Sequence, residues 1–160
     1  LANDLGNLVQ RSFSMISKNC EGFIPSPGTL NKDDINLNNH TVKLANSIDV
    51  LFEKIELNKI LSEIWDQISN LNKYFSDQKP WELKKTNIDR MNTVLFVTVD
   101  NIRRISIMLI PFIPESANKI LDLMSIDVAE RSFNNIDTKG LQSFKKAIGD
   151  VKPIFPKIDE

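Results

Sequence analysis

Asn7, Arg11, Ser14 and Lys18 follow one another at steps of four, three and four residues, a spacing that aligns side chains along one face of a helix. An amide offers a donor and an acceptor together, and a guanidinium offers a planar fork. These are the side chains best suited to the edges of nucleic-acid bases. Such a stripe is equally the solvated face of an ordinary helix, so a second feature must decide its meaning. That feature is Lys79, Pro80 and Trp81. Proline fixes its own φ and stops a preceding helix, which holds the next indole on a stiff corner. A partly exposed indole there is a platform for an unpaired base, a contact worth roughly 1–3 kcal/mol. An indole folded back over the core is the plainer alternative. Between Leu71 and Arg104 lie seven Lys or Arg residues (Lys73, Lys79, Lys84, Lys85, Arg90, Arg103, Arg104) against four acids (Asp77, Glu82, Asp89, Asp100). That surplus would suit phosphates. Asn72, Lys73 and Tyr74 near the same helix end fit RNA contact or plain surface.

Other chemistry is poorly supplied. His40 has Leu37, Lys43 and Leu44 at helical spacing, so neither a Glu-x-x-His di-metal pair nor a His-Glu-x-x-His zinc pair exists, and a solvated helix position is expected. Cys20 is the single cysteine. It excludes an internal disulfide and reads as a half-buried helix-end residue rather than a nucleophile. Five scattered glycines form no phosphate loop. Asp33 with Asp34 reads as a helix N-terminal cap rather than an acid/base couple. No metal site is expected.

The elements that position these residues follow from composition and period. The chain has 160 residues, 41% hydrophobic and 26% charged, with a formal charge of -1, which fits one globular domain without a bulk positive field. The nearly apolar stretch 105–113 is too short to span a bilayer. No signal peptide is evident, and the chain reads as cytosolic, an excised segment of something longer. Leu5, Leu8, Val9, Ser12, Phe13 and Ile16 predict a helix from about Asn3 to Lys18, with Asn3 as its cap. Gly22, Pro25, Pro27 and Gly28 predict a loop. Leu37 to Phe52 carries a second helix from Asp33 or Asp34 to about Ile55. Leu57 to Phe75 carries a third, with Trp65 in its apolar stripe and so expected in the core, stopped at Pro80 because the residue before proline avoids the helical region. Ile88 to Leu109 carries the stripe of a fourth, from about Asn87 to Leu109, that is apolar nearly all round and therefore central. Pro111 and Pro114 break it, and Glu115 to Met124 starts another. Short turns are expected over Asp127–Asn134 and Thr138–Ile148. Val151–Glu160 is expected as an extended tail laying Ile154 and Phe155 on the body. No segment argues for a sheet. The expected fold is all-α, a bundle of about five main helices.

The words of the sequence resemble a known family. LANDLGNLVQR at Leu1–Arg11, Asn72 and Tyr74 followed by Lys79-Pro80-Trp81, LIPFIP at Leu109–Pro114 and PIFPKI at Pro153–Ile158 are together similar to the anticodon-binding helical domain of bacterial methionyl-tRNA synthetase. The match runs over essentially all 160 residues, so residues 1–160 would form one such domain of the class I synthetase type. The resemblance implies recognition of the CAU anticodon of methionine tRNA. Trp81 would stack on the first anticodon base, Pro80 would set the height of the indole, and Asn7 and Arg11 would hydrogen-bond the anticodon bases. Lys18, Lys73, Lys79, Lys84 and Lys85 would contact the RNA backbone. It implies no cofactor in this segment, and a Rossmann-type catalytic domain elsewhere in the parent chain that uses ATP with Mg through HIGH and KMSKS signatures, neither of which occurs here. This segment alone is expected not to aminoacylate. Isoleucyl, valyl, leucyl and cysteinyl synthetases carry related helical domains, and the Asn7/Arg11 and Pro80/Trp81 pairs favour methionine. The competing expectation is a helical protein-interaction module that uses the same stripe and Trp81 as a docking patch.

Overall fold

The computed structural model describes residues 2–136 and 147–155. Six α-helices follow in order: α1 (Ala2–Asn19), α2 (Lys32–Glu53), α3 (Leu57–Gln78), α4 (Pro80–Thr86), α5 (Ile88–Leu109) and α6 (Pro114–Leu123). Two single 3₁₀ turns, Val128–Glu130 and Phe133–Asn135, occupy the expected turn region. The expected turn over Thr138–Ile148 and the tail from Pro156 onward lie largely outside the described residues. Among those described there is no strand, only an isolated antiparallel bridge between Phe23 and Ala147.

α5 is the axis of the bundle, and α1, α2, α3, α4 and α6 all pack on it. From Met91 to Leu109 every residue except Asn92 and Phe96 is buried, the enclosure expected of a helix apolar on all sides. α2 and α3 form a hairpin through the short turn at Lys54–Glu56, tied midway by a 2.8 Å hydrogen bond from the Gln67 amide to Thr41 Oγ1. α1 packs on α3 and α5 through Leu5, Leu8, Val9, Phe13 and Ile16, all fully buried. Its opposite face carries the polar stripe. Ile154 is buried, and Phe155 lies against α1, its ring 3.1 Å from where a Cβ on Gly6 would stand. The tail thus returns to the body as expected.

Three local readings need correction. Asn3 is not a cap, because α1 begins at Ala2 and places Asn3 in its first turn. The cap of α2 is Asn31 rather than the aspartate pair. Asn31 Oδ1 accepts from the Asp34 backbone N–H, and Asp34 accepts from the Asn31 N–H, each at 3.0 Å, a reciprocal capping box. Trp65 is half-buried rather than enclosed. It borders an open apolar groove of about 770 Å³ with Leu61, Leu109, Phe112, Ile113 and Phe155.

The largest addition to the expected plan is α4. Pro80 ends α3, but it also stands at the first position of α4, where its missing N–H costs nothing and its fixed φ suits a helix. Lys79 joins the two helices alone. It adopts the left-handed region, φ 48° and ψ 59°. Its N–H donates to the Phe75 carbonyl at 3.3 Å, and its carbonyl accepts from Glu82 and Leu83 N–H at 2.9 and 3.2 Å. One residue therefore closes one helix and opens the next, and the chain turns sharply beneath Trp81.

Candidate nucleic-acid interface

α1 and the α3–α4 corner meet at one surface. Asn7, Arg11 and Lys18 are all exposed on α1, so the aligned stripe faces solvent. Arg11 reaches across to the corner. Its guanidinium carbon stands 5.0 Å from the centre of the Phe75 ring and 5.2 Å from the centre of the Trp81 ring. Phe75 is buried on α3 and supports Trp81 at 5.8 Å with the rings tilted by 57°. Trp81 itself is half-buried, with part of the indole packed on the core and part open to solvent. Both alternatives left by the sequence are thus partly realised in one side chain. α1 is fixed against α3 at the same end by Asn72, whose amide donates to the Asp4 carbonyl at 3.3 Å. Asn7 sits one turn before Arg11 on the exposed face.

Beneath the corner lies a buried polar cluster. Asp34, with no exposed surface, receives Arg90 through two hydrogen bonds of 2.6 and 2.9 Å. It also accepts from the Tyr74 hydroxyl at 2.6 Å. Arg90 donates in addition to the side-chain Oε1 of Gln78 at 2.7 Å, and the side-chain amide of Gln78 donates to Asp33 at 3.3 Å. Burial disfavours the charge on Asp34, yet the hydrogen bonds from Arg90, Tyr74 and the Asn31 backbone outweigh it and hold the carboxyl below its ordinary value. Burial, and then the bond to Asp34, push the Tyr74 phenol up.

The electropositive reading shrinks when the side chains are placed. Arg90 is engaged with Asp34. Arg103 and Arg104, about 5% exposed, are paired inside the bundle with Asp100 at 3.0 and 3.2 Å. Tyr74 is buried too, which removes it from any surface. Four exposed lysines remain in this stretch against Asp77, Glu82 and Asp89. Lys73 pairs with Asp77 at 2.6 Å and Lys79 approaches Glu82 at 4.0 Å. Lys84 and Lys85, three and four residues after Trp81 and so on its side of α4, form no ion pair among the described residues, and neither does Lys18.

The remaining candidates take their places simply. His40 is exposed on α2. Cys20 is half-buried at the end of α1, 3.7 Å from the Asn92 carbonyl oxygen, and burial pushes its thiol up, away from a reactive thiolate. Among the described residues no group of three or more His, Cys, Asp or Glu could hold a metal ion, and no helix is long and apolar enough to cross a membrane.

Sequence reasoning missed Phe75 as the support of both Arg11 and Trp81, because a helix-stripe aromatic looks like any other core residue. It also missed the Asp34 cluster. The one available signal was Asp34 at the third position after Asn31, a capping-box spacing.

The model of the anticodon binding domain of methionyl tRNA ligase matches residues 24–160. Two methionine–tRNA ligases align with nearly the whole chain. That of Brucella suis is 39% identical over 160 residues, covering 100% of this chain and 31% of the relative. That of Rhizobium meliloti is 38% identical over 157 residues, covering 98% and 30%. The apo crystal structure of Mycobacterium tuberculosis methionyl-tRNA synthetase superposes with a TM-score of 0.94 at 35% identity, over 100% of this chain and 33% of that one. The chain spans about a third of the length of these relatives. The family model begins after α1, and the full-length alignments carry the resemblance across it. An all-α bundle with a solvent-facing polar helix beside a proline-set indole, matched over its whole length by these proteins, belongs to the anticodon-binding domain family of methionyl-tRNA ligase.

Proposed function

We propose that this domain recognises the CAU anticodon loop of methionine tRNA, so that a catalytic domain elsewhere in the parent chain can attach methionine using ATP with Mg. The observation that carries the reading is the convergence of Arg11 with Trp81, with Asn7 one turn away on the same exposed face. Single-stranded loops are read by stacking a splayed base on an aromatic face and by hydrogen bonds to its edge, and both kinds of group stand together here. Trp81 receives the first anticodon base. Arg11 and Asn7 read base edges, Pro80 sets the indole's height, and Lys18, Lys84 and Lys85 meet the phosphates. Lys73 and Lys79 contribute once their acidic neighbours yield them.

An exposed arginine–tryptophan contact is worth about 0.5–1 kcal/mol, and a base stacked on an indole about 1–3 kcal/mol. The base therefore wins the indole, and Arg11 is released toward its edge. With few unpaired cations beside the corner among the described residues and a formal charge of -1, the domain alone binds weakly and in a salt-sensitive way. The test is titration of a CAU anticodon stem and loop against one with another triplet at low salt. A clear preference for CAU is expected. Equal affinities, or no binding at high domain concentration, would overturn the reading.

A further inference from the structure

Building on that reading, we infer that Asp34 is a positioning residue for Trp81, acting through a clasp between the two ends of α4. α4 has seven residues, too few for a helix that is stable alone, so its orientation is set by its packing on α5 together with what fixes its ends. Gln78 is the last residue of α3 and Arg90 the third of α5. They flank α4, and they are joined by the 2.7 Å bond from Arg90 to Oε1 of the Gln78 side chain. The bond closes a loop containing Lys79, Pro80, Trp81 and all of α4.

Asp34 anchors that loop to α2, an element remote in sequence. Each of its carboxylate oxygens accepts twice: Oδ1 from Arg90 and Tyr74, Oδ2 from Arg90 and the Asn31 N–H. The paired guanidinium bonds fix the plane of Arg90 as well as its place, so the second N–H of the nitrogen that bonds Asp34 Oδ1 is aimed at Gln78. None of the hydrogen bonds of this cluster involves Arg11 or Trp81, so its effect on RNA passes through the placement of α4, which carries the indole together with Lys84 and Lys85.

The experiment uses the 160-residue chain with Trp65→Phe, which leaves Trp81 as the sole indole. Asp34→Asn keeps the size of the side chain but loses the charge and one double acceptor. The expected result is a red-shifted, more readily quenched Trp81 emission, with affinity for the CAU stem and loop reduced about tenfold and helical circular dichroism retained. Gln78→Ala breaks the clasp but spares the Asp34–Arg90 pair, so it should move the emission in the same direction with a smaller loss of affinity. It decides the matter if Asp34→Asn does not fold. A folded Asp34→Asn or Gln78→Ala with wild-type emission overturns the inference, as does a shifted emission with unchanged affinity. If the chain with Trp65→Phe alone binds no CAU stem and loop, the proposed function fails, while the emission shifts still report whether the clasp holds the indole.

Discussion

The guanidinium of Arg11 lies over the ring of Trp81, 5.2 Å from its centre, joining the first helix to the corner 70 residues later. The contact makes the two residues one surface, so each substitution should be visible through the other. In the Trp65→Phe background, Arg11→Ala is expected to change Trp81 emission without RNA present. An unchanged spectrum would mean that the two side chains do not meet in solution.

Trp81→Ala separates the platform from the core. The indole is half-buried and rests on Phe75, so its loss costs some folding stability, on the order of 1 kcal/mol for the ring pair beyond area burial. Binding to the CAU stem and loop should fall by about 1–3 kcal/mol, roughly five- to 150-fold. Urea unfolding and RNA titration on the same sample distinguish the two effects. A large stability loss with unaltered RNA affinity would assign Trp81 to the core alone.

Arg11→Gln keeps a hydrogen-bonding end but loses the fork and the charge. If Arg11 reads a base edge, the ratio of affinities for CAU and a changed triplet should shrink more than affinity for RNA in general. Competition between the two stem and loops measures that ratio. A uniform loss across triplets would mark Arg11 as a phosphate contact.

The long helices were legible because each places apolar residues at steps of three and four over several turns, as Leu57 to Phe75 does. The corner before Trp81 was legible for a different reason: proline constrains the chain locally, and its effect does not wait on packing. What escaped was tertiary. Arg103 and Arg104 look like surface charge in a string of letters, and only the placement of Asp100 one helical turn before them, on a helix enclosed on every side, draws them inside. α4 escaped because Pro80 signals a helix end and a helix start with the same letter, and the one-residue turn at Lys79 leaves no loop between them. The partnership of Asp34 with Arg90 spans 56 residues, a distance at which no local pattern speaks.

Lys84 and Lys85 are exposed and form no ion pair among the described residues, whereas Lys73 is held by Asp77 at 2.6 Å. A free cation that meets a phosphate releases counterions, and one that must first leave a carboxylate gives up part of that gain. Replacing Lys84 and Lys85 by Ala should therefore weaken binding to all triplets alike and flatten the plot of log affinity against log salt by up to about one unit per lysine. Lys73→Ala should flatten it less. Affinities measured over a series of salt concentrations give the slopes, and an unaltered slope for the double variant would remove both residues from the interface.

The Asp34 cluster predicts how stability depends on pH. The folded carboxyl titrates below its ordinary value of about 3.9, because the bonds from Arg90, Tyr74 and the Asn31 backbone outweigh burial. A lowered folded value means that the unfolded chain takes up the proton first. The stabilisation is therefore complete above the ordinary value and is lost as the pH falls through it toward the folded one. Tyr74 works at the other end. Burial and the bond to Asp34 raise its value above the ordinary tyrosine value of about 10, so the unfolded chain ionises first and stability is lost as the pH climbs past that point. Urea midpoints measured across both limits should show a smaller acid loss in Asp34→Asn and a smaller alkaline loss in Tyr74→Phe, each relative to the parent chain. Arg90 keeps its charge throughout, so Arg90→Ala should instead lower stability at neutral pH, by about 3–5 kcal/mol if the carboxylate is left buried without its cation. An acid limb that is the same in Asp34→Asn and the parent would mean that other carboxylates, and not this one, govern unfolding at low pH.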